Sequence, residues 1–231
     1  MKYQNIFKRY EIKYLITDEQ RRIITEKIKP YMVSDEWGKS TICNLYYDTP
    51  DYRLIRKSIE KPVYKEKLRL RSYGTSTDDS TVFIELKKKY KKVVYKRRIP
   101  MSYASAFAYL QTGLHSENSQ ILSETDYFLK FYSPVEPKVF LAYEREAFFM
   151  TEDHDFRLTF DSNIIFRCDD LSLCSPVYGE KLLDDGLSLM EIKTGLAIPL
   201  EITKILSEMK LFRTSFSKYG TVYKNHILRS E

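Results

Sequence analysis

The feature that most constrains this chain is a period-two alternation of apolar and charged residues, which recurs in at least seven segments. Such alternation predicts β-strands, because successive side chains of a strand point to opposite faces. In the first such segment, Tyr10, Ile12 and Tyr14 alternate with Glu11 and Lys13. The repetition predicts a mainly antiparallel sheet whose strands each carry one apolar face and one charged face.

The charged faces of these predicted strands are strongly biased toward positive charge. Eleven cations stand on them against four anions, a local excess that is larger than the net charge of +6 for the whole chain. The cations are Arg9, Lys13, Lys67, Arg69, Arg71, Lys87, Lys96, Arg98, Arg145, Arg157 and Lys193, and the anions are Glu11, Glu85, Asp161 and Glu191. Like charges on neighbouring strands repel each other. The pattern therefore predicts an anionic partner.

Two arrangements of this sheet are compatible with the alternation. An open sheet would bury its apolar face and leave the charged face in water. A closed sheet would turn the charged faces inward, around a polar lumen of the kind that a wide barrel can hold. Amphipathic helices would then cover the apolar outside. The bias in sign favours the closed arrangement.

Four segments carry helix signals that suit such a covering. Residues 17–20 resemble a capping box, and Pro30 ends the apolar stripe that follows them. Gly113 marks the end of a second segment. The predicted helices lie between residues 17 and 30 and at residues 102–112, 119–131 and 200–212.

Composition narrows the class of protein further. With 43% hydrophobic and 30% charged residues, the chain favours a packed core over disorder. No apolar run approaches the ~20 residues of a membrane-spanning helix, and no signal-peptide core is evident at the N-terminus. Three cysteines without a Cys-x-x-Cys motif favour a reduced, cytoplasmic location. No linker divides the chain, so we expect a single domain over residues 1–231.

A lumen lined by arginine, lysine and a few carboxylates suits one kind of ligand. Arginine binds phosphate oxygens in pairs, and lysine acts as a point charge. Carboxylates favour oxygen-seeking cations such as Mg²⁺ or Mn²⁺. The three scattered histidines disfavour histidine-centred catalysis. These residue types together favour a polyanion accompanied by a divalent cation.

Nine short segments in order, among them Lys67-Leu68-Arg69-Leu70-Arg71, resemble the triphosphate tunnel metalloenzyme superfamily. Within it, they are similar to the VTC (vacuolar transporter chaperone) polyphosphate polymerase domain. They lie at residues 9–14, 45–50, 67–71, 83–87, 96–98, 143–148, 157–161, 191–193 and 217–219. The resemblance implies an α+β fold, an eight-stranded antiparallel tunnel with a charged lumen, covered outside by a few helices.

The resemblance also implies an activity. Domains of this type transfer the terminal phosphate of ATP to a growing polyphosphate chain, with Mn²⁺ or Mg²⁺. The related CYTH-type triphosphatases open with Glu-x-Glu-x-Lys, whereas Arg9 stands here in place of the first Glu. That difference favours the polymerase over a triphosphatase or nucleotide cyclase, which remain alternatives together with a non-catalytic polyphosphate or nucleotide binder. Nucleic acid is not expected, because the aromatic residues fall mainly on the apolar strand faces.

The resemblance, carried over motif by motif, also implies the roles of most site residues, and the charged strand faces add the others. The expected catalytic residues are Lys218, Arg69 and Arg71. The expected ATP- and phosphate-binding residues are Lys13, Lys67, Arg69, Arg71, Lys87, Lys96, Arg98, Arg145, Arg157, Lys193 and Ser217. Glu191 is the expected metal ligand, with Glu11 and Glu85 as further candidates. The expected partners are ATP and inorganic polyphosphate; peripheral membrane association and the oligomeric state stay open.

Overall fold

The computed structural model describes residues 10–91, 93–115, 119–153, 155–195 and 197–229. Within these residues, nine strands form one antiparallel sheet. They are β1 (Tyr10–Thr17), β2 (Met32–Asp48), β3 (Tyr64–Tyr73), β4 (Thr81–Tyr90), β5 (Val93–Ser102), β6 (Glu136–Met150), β7 (Arg157–Arg167), β8 (Glu180–Lys181) and β9 (Leu187–Thr194). Arg9, on which the contrast with the triphosphatases depends, lies outside the described residues.

Six α-helices accompany the sheet in this part of the chain. They are α1 (Asp18–Ile28), α2 (Arg53–Ile59), α3 (Tyr103–Thr112), α4 (Gln120–Tyr132), α5 (Leu200–Glu208) and α6 (Lys218–Val222), the last continuing into a π-helical turn (Tyr223–Ile227). The four helices that the sequence predicts are present, whereas α2 and α6 are not anticipated by it. None of the helices in the described ranges is long and apolar enough to cross a lipid bilayer.

The helix ends show where local sequence signals suffice. The capping box of α1 is formed, because the Gln20 N–H donates to Thr17 Oγ1 at 3.2 Å and the Thr17 N–H donates to Gln20 Oε1 at 3.0 Å. The prediction that α5 extends to residue 212 is wrong. The chain turns at Lys210, whose φ is +51°, and Phe212 is 84% exposed. A turn of this kind normally carries glycine, so the sequence contains no signal for it.

Eight of the strands follow one another in the order β1-β9-β7-β6-β2-β3-β4-β5, and β8 pairs only with β7. This path curls back on itself, since Lys87 Nζ of β4 lies 2.9 Å from the Glu11 carboxylate of β1. No backbone ladder joins β1 to β5 within the described residues. We call this gap between the two ends of the sheet the seam, and side chains rather than backbone hydrogen bonds bridge it. The predicted eight-stranded antiparallel tunnel is confirmed.

Apolar strand faces form the outside of the tunnel, as the alternation predicts for a closed sheet. Leu68 and Ile84 are buried in a core that includes residues of α3 and α4. Phe160 and Ile192 are buried in a second core with residues of α1 and α5. Burying each such side chain stabilises the fold by roughly 1.5–3 kcal/mol. The helices are thus held on the outside, and the charged faces are left to point inward.

The lumen is not charged throughout, which the sequence reading did not anticipate. Leu141 and Leu189 lie on the inner face of the sheet, opposite Asn44 and Asp161 in the strand register. They belong to a third core that also contains Tyr219 and other apolar residues of α6 and its π turn. We call residues 217–227 the C-terminal plug. It fills one part of the tunnel and leaves the charged part open.

Asp48, at the end of β2, fastens the plug and α2 to the sheet. Its carboxylate is fully buried and accepts hydrogen bonds from the N–H groups of Leu54 and Ile55 at 2.8 and 3.0 Å. It also accepts one from the Tyr219 hydroxyl at 2.9 Å. Burial raises the pKa of Asp48, although these donors act in the opposite direction. One carboxylate thereby joins three elements.

We expect Asp48→Ala to lower the free energy of unfolding by about 3 kcal/mol or more, because the buried donors would lose their acceptor. Urea denaturation of purified protein measures this. Asp79 is an exposed aspartate in the turn between β3 and β4. Asp79→Ala is therefore the matched control and should change the free energy of unfolding by no more than about 0.5 kcal/mol. Equal stability of the two variants would contradict the role given to Asp48.

Candidate active site

A cavity of about 320 Å³ lies on the inner face of the sheet, beside the C-terminal plug. Its lining comprises Glu11, Lys13, Tyr46, Lys67, Arg69, Arg71, Glu85, Lys87, Val94, Lys96, Tyr143, Arg145, Arg157, Glu191, Lys193, Ser217 and Lys218. Ten of these side chains are cationic and three are carboxylates, a formal excess of seven positive charges. The structure thus brings together every predicted site residue except Arg98, which does not line the cavity but lies beside Glu85 on the neighbouring strand β5.

Strand register explains why residues so far apart in the chain meet. In antiparallel pairs, residues directly opposite each other share a face of the sheet. Lys87 of β4 lies opposite both Lys67 of β3 and Lys96 of β5. Two residues along, Glu85 lies opposite both Arg69 and Arg98. Each step of two residues therefore adds another row of charge to the same inner surface.

Glu85 is the centre of one charged cluster, which we call the Glu85 cluster. Its carboxylate is 1% exposed and lies 2.6 Å from both Arg69 Nη2 and Lys96 Nζ. Arg98 Nε is 3.0 Å away, and Arg71 Nε is 3.8 Å away. Burial alone would raise the pKa of Glu85, but the surrounding cations, Arg71 first, hold it well below its usual value. Four cations therefore share one permanently ionised carboxylate.

A second cluster, which we call the Asp161 cluster, joins the sheet to the plug. The fully buried Asp161 accepts paired hydrogen bonds from Arg145 at 2.6 and 2.7 Å, and Lys218 Nζ lies 2.5 Å from it. Glu191 lies 3.0 Å from Lys13 Nζ and 3.7 Å from Lys218 Nζ. Burial would raise the pKa of Glu191, but these cations, Lys13 first, hold it well below its usual value.

Backbone pairing brings the plug into register with the cluster. The N–H of Thr214 donates to the carbonyl of Lys13 in β1 at 2.8 Å, and Lys13 Nζ donates to the carbonyl of Phe216 at 3.0 Å. Ser217 then caps α6, accepting from the Gly220 N–H at 3.3 Å. Lys218 follows directly and enters the Asp161 cluster. The segment before the plug thus fixes where Ser217 and Lys218 reach the cavity.

Lys67 lines the cavity without a carboxylate partner in the described part of the chain. Its Nζ donates to Ser217 Oγ at 3.1 Å, and within the described residues no carboxylate lies in ion-pair distance of it. Burial, followed by repulsion from Lys13 and other neighbouring cations, lowers the pKa of Lys67 to about 7. Burial likewise lowers the pKa of Lys96 to about 7 and that of Lys193 to about 8, although a carboxylate lies near each. The cavity therefore holds more cations than its own carboxylates can neutralise.

Two tyrosines of the cavity were not recognised as site residues from sequence. The Tyr46 hydroxyl accepts from Arg69 Nη1 at 3.1 Å, and the Tyr143 hydroxyl accepts from Arg71 Nη2 at 3.3 Å. Lys218 Nζ lies 4.4 Å from the centroid of the Tyr143 ring. Both rings orient cations without adding negative charge. For Tyr46 the available signal was its register opposite Arg69, which only the pairing of β2 with β3 reveals.

The remaining predicted residues lie toward the edge of the cavity. Lys87 pairs with Glu11 across the seam, and Lys87 is the main cation that lowers the pKa of Glu11 to about 2 against the effect of burial. Arg157 lies 3.5 Å from Asp35 and 4.7 Å from the centroid of the Phe149 ring. The Lys87, Glu11 and Arg157 side chains are 25–37% exposed, so solvent reaches this part of the cavity, which carries net positive charge.

The carboxylates do not form a ready-made metal site. Within the described residues, no group of three His, Cys, Asp or Glu side chains is arranged to hold a metal ion. Glu85 is surrounded by four cations and Glu11 is paired with Lys87. The Oε2 atom of Glu191 is less tightly paired, since Arg145 and Lys193 approach it only to 3.9 and 3.8 Å. A divalent ion here would take most of its ligands from phosphate and water, the usual case for Mg²⁺.

An antiparallel path of eight strands curled around a cationic cavity defines the triphosphate tunnel class of folds. The chain belongs to the VTC domain family, whose family model matches residues 8–226. The family resemblance read from the sequence is therefore confirmed. No curated protein matches the chain.

Solved structures with this fold support the assignment of the architecture. A candidate adenylate cyclase from Bacillus halodurans has a TM-score of 0.59 at 15% identity, with 98% of each chain covered. The candidate adenylyl cyclase HpAC1 from Hippeastrum, described as having a dominant triphosphatase activity, has a TM-score of 0.54 at 16% identity, covering 93% of this chain and 94% of that one. A candidate adenylate cyclase from Vibrio parahaemolyticus has a TM-score of 0.51 at 13% identity, covering 95% and 99%. At these identities the likeness establishes the fold alone.

The lowered lysine pKa values make anion binding pH-dependent. Near pH 8, Lys67 and Lys96 are mostly neutral in the free protein, and a bound polyanion favours their charged form. We therefore expect tripolyphosphate binding to take up protons at about pH 8 and to weaken as pH rises above about 7. Titration calorimetry in buffers of different ionisation enthalpy measures the uptake.

Lys67→Met should reduce that proton uptake, since it removes one titrating group. Lys224→Met, which changes an exposed lysine of the π turn, is the matched control and should leave the uptake unchanged. Binding that releases protons, or that involves none, would contradict this account of the cavity.

Proposed function

We propose that this chain is a polyphosphate polymerase that transfers the terminal phosphate of ATP to a growing polyphosphate chain inside the tunnel. The observation that carries the proposal is the convergence of ten cations on one cavity, whose lining among the described residues includes three carboxylates. Family membership supports the same conclusion. The roles of individual residues in this reaction are proposed with it.

The size of the charge excess favours transfer to a second polyanion. The triphosphate of ATP carries roughly four negative charges, one on each inner phosphate and up to two on the terminal one. The formal excess in the cavity lining is seven positive charges, or six when Asp161, which pairs with Arg145 and Lys218, is counted as well, and either number is larger than that. The remainder suits the end of an acceptor chain held beside ATP. A hydrolase, whose acceptor is neutral water, has no need of it.

The chemistry requires little from the protein beyond position and charge. A terminal oxygen of the acceptor chain attacks the γ-phosphorus of ATP, the new P–O bond forms, and the bond to the β,γ-bridging oxygen breaks to release ADP. The attacking oxygen is already anionic, so no base has to remove a proton. Positioning and electrostatic stabilisation dominate phosphoryl transfer, and the guanidinium groups of Arg69 and Arg71 suit charged oxygens.

Two clusters would divide this work. The Glu85 cluster would hold phosphates through Arg69, Arg71 and Lys96, whose positions are fixed from behind by one carboxylate. At the plug, Lys218 and Ser217 would lie beside the reacting phosphate. Mg²⁺ or Mn²⁺ would bind phosphate oxygens and lower their repulsion, with Glu191 as the protein ligand best placed to hold it.

The test is incubation of purified protein with ATP and Mn²⁺, scored for long polyphosphate on gels and for free phosphate in solution. The proposal expects polymer and ADP. Free phosphate without polymer would instead establish a triphosphatase, the activity described for HpAC1, which has a similar fold. Cyclic nucleotide would establish a cyclase, and tight ATP binding without turnover would establish a binding domain.

Arg69→Ala and Lys218→Met should each lower the rate of polymer formation ~10²-fold or more, the scale of losing one preorganised charge-stabilising group. Arg97→Ala is the matched control, because Arg97 of β5 points to the outside of the tunnel and contacts Glu124 at 3.2 Å. It should retain the rate of the unmodified protein. Near-normal turnover of both cavity variants, with folding verified by denaturation, would count against the assignment.

A further inference from the structure

The cationic inner face continues beyond the cavity along β3 and β4. Lys65 and Lys89 lie opposite each other in the register, two residues outward from the Lys67 and Lys87 pair. Residues two apart on a strand share a face and are separated by about 6.6–6.8 Å. Neither Lys65 nor Lys89 lines the cavity itself. The row of lysines therefore leads from the cavity to the outside of the tunnel.

The cations on the outer face of these strands have carboxylate partners, whereas, in the described part of the chain, those on the inner face beyond the cavity do not. On the outer face, Lys88 and Arg97 share the Glu124 carboxylate, at 3.0 and 3.2 Å. On the inner face, Lys65 and Lys89 have no carboxylate within ion-pair distance among the described residues. Lys65 Nζ donates instead to the carbonyl of Ser58 at 2.8 Å.

Repulsion among the lysines of this row is evident at Lys65. The pKa of Lys65 is lowered, first by burial and then by repulsion from Lys89, Lys87 and Lys61. Lysines placed directly opposite each other on neighbouring strands destabilise a sheet unless an anion compensates them. The row has the properties of a surface whose partner is a flexible polyanion with closely spaced charges.

We propose that Lys65 and Lys89, together with Lys61 of the loop between α2 and β3, form a track that binds the part of a linear polyphosphate chain extending beyond the cavity. The inference rests on the proposed function, since it takes the same polymer as ligand. A polyphosphate is favoured over an acidic peptide or an anionic membrane because Lys65 and Lys89 continue, on one face and without a break in the ladder, from a cavity lined by arginine and lysine. Because Lys65 and Lys89 do not line the cavity, we expect a triphosphate held there to make little contact with the track.

Equilibrium binding of two probes separates the track from the cavity. Lys61→Gln/Lys65→Gln/Lys89→Gln should bind long linear polyphosphate about tenfold or more weakly, since each lysine contact releases counterions, and the salt dependence should become shallower. Its affinity for tripolyphosphate should stay within about twofold. Lys61→Gln/Lys89→Gln, which keeps the Lys65 contact with Ser58, should show the same selective loss in smaller degree if the triple variant folds poorly.

The matched control is Lys130→Gln/Lys204→Gln/Lys224→Gln, which removes three exposed lysines from other parts of the surface and should bind both probes normally. Equal loss of both probes in the track variant, or no loss of either, would overturn the track. A stronger effect on poly-glutamate or on vesicles of anionic lipid than on polyphosphate would do so too. Because the readout is binding, the track can stand even if ATP yields no polymer, and the two proposals fail separately.

Discussion

Mutual repulsion among inward-facing cations is the constraint on which the rest of this structure depends. Burying arginine and lysine side chains without compensation costs several kcal/mol per charge. The protein meets that cost with few carboxylates, and each of them serves several cations, as Glu85 does for four. This compensation is incomplete, because the pKa values of Lys67 and Lys96 are lowered to about 7. An anionic ligand completes it.

The apolar parts of the fold make this arrangement possible. Because α1, α3, α4 and α5 bury the outer strand faces, the sheet gains much of its stability on the outside of the tunnel. The C-terminal plug then fills one part of the lumen with apolar side chains and presents Ser217 and Lys218 to the other. Asp48 ties that plug to the end of β2. The open, charged volume is thereby limited to a size that suits a short run of phosphates.

Strand identity, the inward direction of the charges and most of the cavity lining could be predicted from sequence, because a period of two assigns each residue to a face. Tertiary effects were harder to predict. The strand β2 has no clean alternation near Tyr46 and Tyr47, since both of its faces are buried there. The helix α6 is five residues long, and its position depends on Asp48, far away in the chain. Asp161 was counted as a charge, but its contacts with Arg145 and Lys218 require two distant segments to meet.

A crystal structure of the protein with tripolyphosphate tests the central claim most directly. The account expects the anion inside the cavity, with its oxygens within hydrogen-bond distance of Arg69, Arg71 and Lys67 and its end near Lys218. Tripolyphosphate bound only to the outer surface, with the cavity free of it at saturating concentration, would contradict the account.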